Sequence, residues 1–397
     1  MELSGYTPGD AAAYESEFGL TMVPQQDISV DGGPTDHSGA GEVALDVEMM
    51  AALASSVDRI ELYEAPNNDM GTISAYYQMA EDDTANSIST SWGSCESMAS
   101  SQVIMSEAQS FKIMALQGQS MFAASGDNGA FGCLGLDHSK GKLQVDDPAS
   151  QPYVTAVGGT SLSGADPGPN PNPPYPSGKE TAWNNNCTSK TCYYPNGSGG
   201  GGGNSTLWKQ PAYQTGPGVN EKKYSKSGSW CKQPSGTFCR EAPDVSLNAD
   251  PASGYAVYCT DSGDSNCLPS GWLVLGGTSA SAPLWAAIAA LADSYLLGHG
   301  KPALGFANPY LYQLNATMGY SYVFHDIAQG KGNNGILYFS DSLYIFALNA
   351  SDGTLIWYHQ EDYEHSLGTP VVVNGTIYVS SNGDFTVFTP LILQLPP

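Results

Sequence analysis

The stretch LVLGGTSASAPLWAAIAAL, residues 273–291, holds a hydroxyl where a nucleophile would stand. An apolar run meets Gly276 and Gly277, then Thr278 and Ser279, then an Ala-rich helical pattern interrupted only by Pro283. Glycines at a strand-to-helix junction let a side chain stand exposed at the helix start, one way to present a serine nucleophile. A serine hydroxyl is weak until a base takes its proton, and the usual base is histidine. The six histidines are His37, His138, His299, His325, His359 and His365, and none stands in an H-G-T-H context. His37 is alone in a polar stretch and reads as a solvated loop histidine. Carboxylates are the other option. Glu42 and Asp46, in GEVALDVEMM, are four residues apart on a predicted helix and share one face. Val43, Leu45, Val47, Met49 and Met50 make that helix largely buried, so two carboxylates near its start are conspicuous. An acidic first turn favoured by the helix dipole is the plainer alternative. Asp127, in AASGDNGAFG, ends an apolar strand pattern and enters a glycine-rich turn. Ligands of α/β sheets sit at the carboxyl ends of strands, although turn aspartates are common.

The elements that must position these residues alternate. Strand patterns are RIELYEA (59–65), SISTSWG (87–93), SMFAASGD (120–127), YVTAVGG (153–159) and WLVLGG (272–277). Helical patterns lie at 41–56, 72–82 and 100–118. This alternation predicts an α/β fold, a mostly parallel sheet with helices on both faces. Residues 163–240, rich in Gly, Pro, Asn and Ser and including GSGGGGGNS (197–205), read as long surface loops. From Gly335 the character changes to all-β. Leu337-Tyr338 and Ile377-Tyr378 stand in similar contexts, an internal repeat of blade-like length.

The chain has 397 residues, 39 of them acidic and 14 basic, for a formal net charge of -25. That balance excludes nucleic acid and anionic membranes as partners, since both want a basic face. Eight cysteines include the close pairs Cys187 with Cys192, Cys231 with Cys239 and Cys259 with Cys267, with no C-x-x-C. Local disulfides in an oxidising, extracellular setting fit better than a zinc site. No run of 18 apolar residues is present, so no membrane span is expected. No leader is visible at the start, so the targeting segment of an exported form is expected to lie outside this chain.

Read together, GEVALDVEMMAALA, SISTSWG, FAASGDNG, DDPASQPYVTAVGGTSL, ETAWN, APDVSLNADPASGYAVY, GGTSASAP and FHDIAQG occur in one order over 300 residues. The region from residue 2 to about 334 closely resembles the sedolisin family of serine-carboxyl peptidases, especially its kumamolisin-like members. The resemblance implies a subtilisin-like fold and acid-acting endopeptidase activity on protein or peptide substrates. It implies that Ser279 is the nucleophile, Glu42 the general base and Asp46 the carboxylate that orients it. Asp127 matches the aspartate serving the oxyanion hole. Glu2 and Trp92 match members of the proton-relay network. Asp146, in QVDDP, falls where some members place an acidic residue in the S1 pocket, favouring a basic P1 side chain. A carboxylate base suits acid, where histidine is already protonated. The two tail copies resemble the repeats of PQQ-type β-propellers, so the domains are residues 1–334 and 335–397. No organic cofactor is expected, and a monomer is.

Two departures stand out. The family's Ca²⁺ site would take the Asp326 side chain and the Ile327 carbonyl, but the second half of its loop is absent after GKGNNG. A hard cation wants six or more oxygens, so a complete calcium site is not expected. The apolar strand that precedes ELSGY in the family is also absent, which should leave sheet edges unpaired. These departures carry a second reading, an inactive peptidase body acting as a binding protein. A cofactor-binding quinoprotein would need several complete blades, which the tail is too short to supply.

Overall fold

Strands buried on both faces need continuous apolar runs, and the central strands here have them. The chain runs α1 (Gly9–Glu17), β1 (Gln25–Ser29), α2 (Ala40–Leu53), β2 (Ile60–Glu64), α3 (Asp69–Asp82), β3 (Ser87–Thr90), α4 (Ser101–Gln117), β4 (Ser120–Ala124), β5 (Val154–Ser163), β6 (Lys179–Ala182), β7 (Val245–Asn248), β8 (Tyr255–Tyr258), β9 (Trp272–Leu275), α5 (Thr278–Gly298) and α6 (Ala307–Thr317). This computed structural model describes residues 1–134, 142–163, 179–216, 219, 231–232, 234, 237–267, 271–317, 324 and 327, with the backbone of six further strands beyond 335. The chain divides into two units, Met1–Asp326 and Ile327–Pro397.

The main sheet of the first unit has the order β7–β5–β4–β3, all parallel. Val154, Ala156 and Val157 of β5 and Met121, Phe122 and Ala123 of β4 are almost fully buried. β6 adds an antiparallel strand to the far half of β5. WLVLGG does not join this ladder. It forms β9, paired antiparallel with β8. Val274, 65% exposed at its centre, shows why: this hairpin has one face in water, unlike a buried parallel strand.

RIELYEA forms β2 as predicted, but β2 pairs only with β1 among the described strands. The sheet is interrupted between β2 and β3. A cavity of about 210 Å³ lies there, lined by Ile60 and Leu62, by Ser87 and Ile88, and by Asp46 and Glu2. Glu2 makes a single parallel bridge to Glu64, and the Met1 amino group donates to the Ser89 carbonyl at 2.9 Å.

Helix boundaries follow local chemistry. Asn68 caps α3 by accepting from Met70 N and Gly71 N, and Ser100 caps α4 by accepting from Val103 N. Gly118, at φ +90°, ends α4 in the left-handed conformation. By length and hydropathy, α5 passes for a membrane-crossing helix, which the lack of a continuous apolar run did not anticipate. Its packing explains the composition: Ala280, Ala282, Ala286, Ala287 and Ala289 are buried between α2 and the sheet.

Four disulfides, Cys95–Cys133, Cys187–Cys192, Cys231–Cys239 and Cys259–Cys267, use all eight cysteines. The glycine run at 197–205 is not a surface loop. Gly201 N donates to Gly126 O at 2.7 Å and Ser125 Oγ donates to Gly201 O at 2.8 Å. A Cβ on Gly201 would lie 1.9 Å from Ser125 O, so the run is glycine because backbone packs on backbone beside Asp127. The second unit holds two three-stranded antiparallel sheets, β10 (Ile336–Ser340), β11 (Tyr344–Asn349) and β12 (Leu355–Gln360), then β13 (Val371–Val373), β14 (Thr376–Ser381) and β15 (Asp384–Phe388).

Candidate active site

Ser279 is the second residue of α5 and is half-buried. The junction before it depends on Gly277, at φ +105°, where a Cβ would also lie 2.6 Å from Asp127 Oδ2. Asp127, just past β4, holds the helix start. Its Oδ1 accepts from Thr278 N at 2.8 Å and Thr278 Oγ1 at 2.9 Å. Thr278 Oγ1 in turn accepts from Gly126 N at 3.0 Å. Asp127 thus caps α5 across space, where Gly277 has no side chain to do so.

Glu42 comes from the first turn of α2, and the Ser279 side chain acts on its carboxyl by favouring the ionised form. Asp46, one turn later, is 1% exposed. The two carboxylates share one helix face as predicted, Asp46 buried and Glu42 half-buried. Ser91 Oγ lies 2.6 Å from Asp46 Oδ1 and 3.1 Å from the Ser279 carbonyl oxygen. Behind Asp46 stands Glu2, also buried, which accepts from Trp92 Nε1 at 2.8 Å. Ser91 links Asp46 to the Ser279 backbone, Trp92 holds Glu2, and Asp127 holds the start of α5 from the strand side.

Burial raises the pKa of every carboxyl in this set. Glu42 is pushed up to about 7, first by burial and then by the nearby carboxyls Asp127, Glu2 and Asp264, with Ser279 pulling the other way. Asp46 is raised well above the usual range by burial, Glu2 and Glu42. Glu2 is raised by burial despite the Met1 ammonium and Trp92. Asp127 is raised by burial despite its bonds to Thr278. Burial and neighbouring carboxyls oppose the ionisation of this cluster, and its titration belongs to the cluster as a whole.

Asp146 sits between Gly126 and Gly132, whose Cβ atoms would fall within 2.2 Å of its carboxyl oxygens. Burial, then Asp127, Asp147 and Glu96, push it up to about 7, and its Oδ1 has no donor. His37 is not a solitary loop histidine. Its Nδ1 lies 2.8 Å from Asp261 Oδ2, in the loop closed by Cys259–Cys267. Asp264 of the same loop accepts from Gly41 N at 3.0 Å and so caps the helix that carries Glu42. Asp326 lies outside the described residues, Ile327 is described, and no cluster of three or more metal-ligating side chains occurs among the described residues. Sequence reading missed Ser91, Thr278, Asp261 and Asp264. Ser91 had a signal, since it follows a strand at its carboxyl end; the loop aspartates had none.

A model of the subtilase family matches residues 29–303. Kumamolisin of Bacillus sp. (strain MN-32) is 35% identical over 339 residues, 83% of this chain and 52% of that protein. Sedolisin of Pseudomonas sp. (strain 101) is 28% identical over 385 residues, 94% of this chain and 56% of that protein. Tripeptidyl-peptidase 1 of Rattus norvegicus is 30% identical over 312 residues, 77% and 48% of the two. The chain spans about half the length of these curated relatives. A solved Pseudomonas sedolisin, a serine-carboxyl proteinase complexed with two molecules of pseudo-iodotyrostatin, matches at a TM-score of 0.67 and 25% identity, covering 89% of this chain and 88% of that one.

Proposed function

The chain belongs to the subtilase family, and from that premise we propose that it is a serine-carboxyl endopeptidase acting in acid on protein or peptide substrates. The observation that carries this reading is the base. Glu42 is the carboxyl on which the Ser279 side chain acts. Among the histidines whose side chains are described, His37 is paired with Asp261, and His299 stands at the opposite end of α5 from Ser279.

Ser279 Oγ attacks the substrate carbonyl while Glu42 takes its proton. Negative charge grows on the carbonyl oxygen, and a protonated Asp127 donates to it, as neutral carboxylic acids can when burial keeps them neutral. Glu42 then gives the proton to the leaving amine. Water, activated by Glu42, releases the acyl group from Ser279. Asp46, Glu2 and Trp92 hold the balance of protons behind Glu42. The reactive form has Glu42 ionised with Asp127 and Asp46 protonated, so kcat/KM is bell-shaped in pH. Asp146 lines the P1 side-chain pocket. We place the protein in an oxidising, extracellular setting as a monomer, on the strength of its four disulfides for the setting. No step uses calcium. For the tail we propose kinship with propeller-type blades, on the repeat of Leu337-Tyr338 and Ile377-Tyr378.

The test is hydrolysis of a denatured protein across acidic pH by the chain, Ser279→Ala and Glu42→Ala. Activity confined to acid and lost in both variants supports the proposal. A folded chain without activity overturns it and favours the second reading, a binding protein on a peptidase body. The interrupted sheet beside Asp46 and Glu2 is the observation on that side.

A further inference from the structure

Pro283 stands four residues after Ser279 in α5 and has no N–H. The helical hydrogen bond that residue 283 would give to the Ser279 carbonyl is therefore missing. Ser91 supplies a donor instead, with Oγ 3.1 Å from that carbonyl oxygen. The same Oγ lies 2.6 Å from Asp46 Oδ1. A serine hydroxyl has one hydrogen, so it cannot serve both oxygens fully. Both contacts are complete hydrogen bonds only when Asp46 brings the second hydrogen. The setting of Asp46 favours that state. It is buried, and its Oδ2 has no donor. The groups facing it are Glu2 from the N-terminal segment, Glu42 on its own helix, Ser91, and the Met1 ammonium.

We propose that Ser91 is a positioning residue that ties the proton on Asp46 to the backbone of the nucleophile. Protonated Asp46 donates to Ser91 Oγ, and Ser91 donates to the Ser279 carbonyl left free by Pro283. When Asp46 loses its proton, the Ser91 hydrogen turns to the carboxylate and the carbonyl loses its donor. The first turn of α5 is then held in the reactive placement only while Asp46 carries a proton. No covalent step is involved, and Ser91 touches no substrate. The inference rests on the reading of Ser279, Glu42 and Asp46 as the catalytic set.

The test compares Ser91→Ala, Ser91→Thr, Pro283→Ala and the Ser91→Ala/Pro283→Ala pair. Removing the hydroxyl takes a donor from ionised Asp46, so its titration, followed by carboxyl ¹³C shifts, moves to higher pH in Ser91→Ala and not in Ser91→Thr. This readout needs no turnover, so it stands even if the peptidase reading fails. In turnover, Ser91→Ala lowers kcat about tenfold, the size of one net hydrogen bond, with KM nearly unchanged. Pro283→Ala restores a helical donor to the Ser279 carbonyl, so the same substitution costs less in that background, about threefold. An Asp46 titration unmoved by Ser91→Ala overturns the proposal. An equal loss of kcat in both backgrounds also overturns it.

Discussion

Asp127 and Thr278 are joined through a single carboxylate oxygen. Oδ1 accepts both the backbone N–H and the hydroxyl of Thr278, and Oδ2 is left over Gly277, two residues before Ser279. The arrangement fixes one oxygen structurally and frees the other for a proton. Asp127→Asn keeps a donor at that place whatever the pH. It should lower kcat by about 10²-fold, the usual cost of impairing an oxyanion donor, and flatten the alkaline limb of the pH profile. An unchanged alkaline limb would remove Asp127 from that role. Gly277→Ala is expected to abolish activity, because its methyl would meet Asp127 Oδ2 and its φ is unsuited to a side chain.

The proposed place of Asp146 in the P1 pocket makes specificity depend on its proton. Burial first, then neighbouring carboxyls, push it up to about 7. Below that value it is neutral, and above it is an anion. Preference for Lys or Arg over Leu at P1 should therefore rise as pH increases from 4 toward 7. Asp146→Asn should remove the pH dependence of that ratio. Paired kcat/KM measurements on matched peptides check both statements, and a ratio flat with pH in the unmodified chain contradicts them.

Several buried carboxyls outside the site should make the fold acid-stable. Burial pushes Glu48 up to about 9 and Glu107, beside Asp147, up to about 10. Below about 4.3 such a group is protonated whether the chain is folded or unfolded. As pH rises past that value, the unfolded chain releases the proton and the folded chain keeps it, so stability falls toward neutral pH. Asp250 and Asp261 oppose this at the acid end, since their hydrogen bonds outweigh burial and hold them below the usual range. Their contribution is lost as pH falls through their folded values. Tm should accordingly be higher near pH 4.5 than near pH 7.5, and Glu48→Gln should narrow the difference. Equal Tm values at the two pH values would contradict this account.

Arg240 and Asp244 are both fully buried and form a two-pronged pair, with Ala156 N and Tyr312 Oη also donating to Asp244. Removing one partner strands the other charge, so Arg240→Ala should cost about 3–5 kcal/mol in chemical denaturation. A loss below about 1 kcal/mol, the worth of an exposed pair, would show that water reaches the site.

The parts of this molecule governed by local pattern were legible in its sequence. The helices carrying Glu42 and Ser279 and the strands ending at Thr90 and Ala124 follow from periodicity and glycine placement. The role of residues 197–205 was not legible, because a glycine run reads as loop until a second backbone is known to press on it. The pairing of β9 with β8 escaped for a similar reason: an apolar run does not state which face meets water. The raised pKa of Glu42 depends first on burial and then on Asp127, Glu2 and Asp264, which are distant in sequence and meet only in the fold. His37 found its partner in Asp261, 224 residues away, and no spacing rule reaches that far.

The most direct test of the central claim is capture of the acyl-enzyme. The chain and Glu42→Gln are mixed with a slowly deacylating peptide ester at pH 4, quenched in strong acid and digested for mass spectrometry. The account predicts an acyl group on the peptide containing Ser279 in the chain, and none on the same timescale in Glu42→Gln. An acyl group on another residue, or equal labelling of Ser279 without the Glu42 carboxylate, would contradict it.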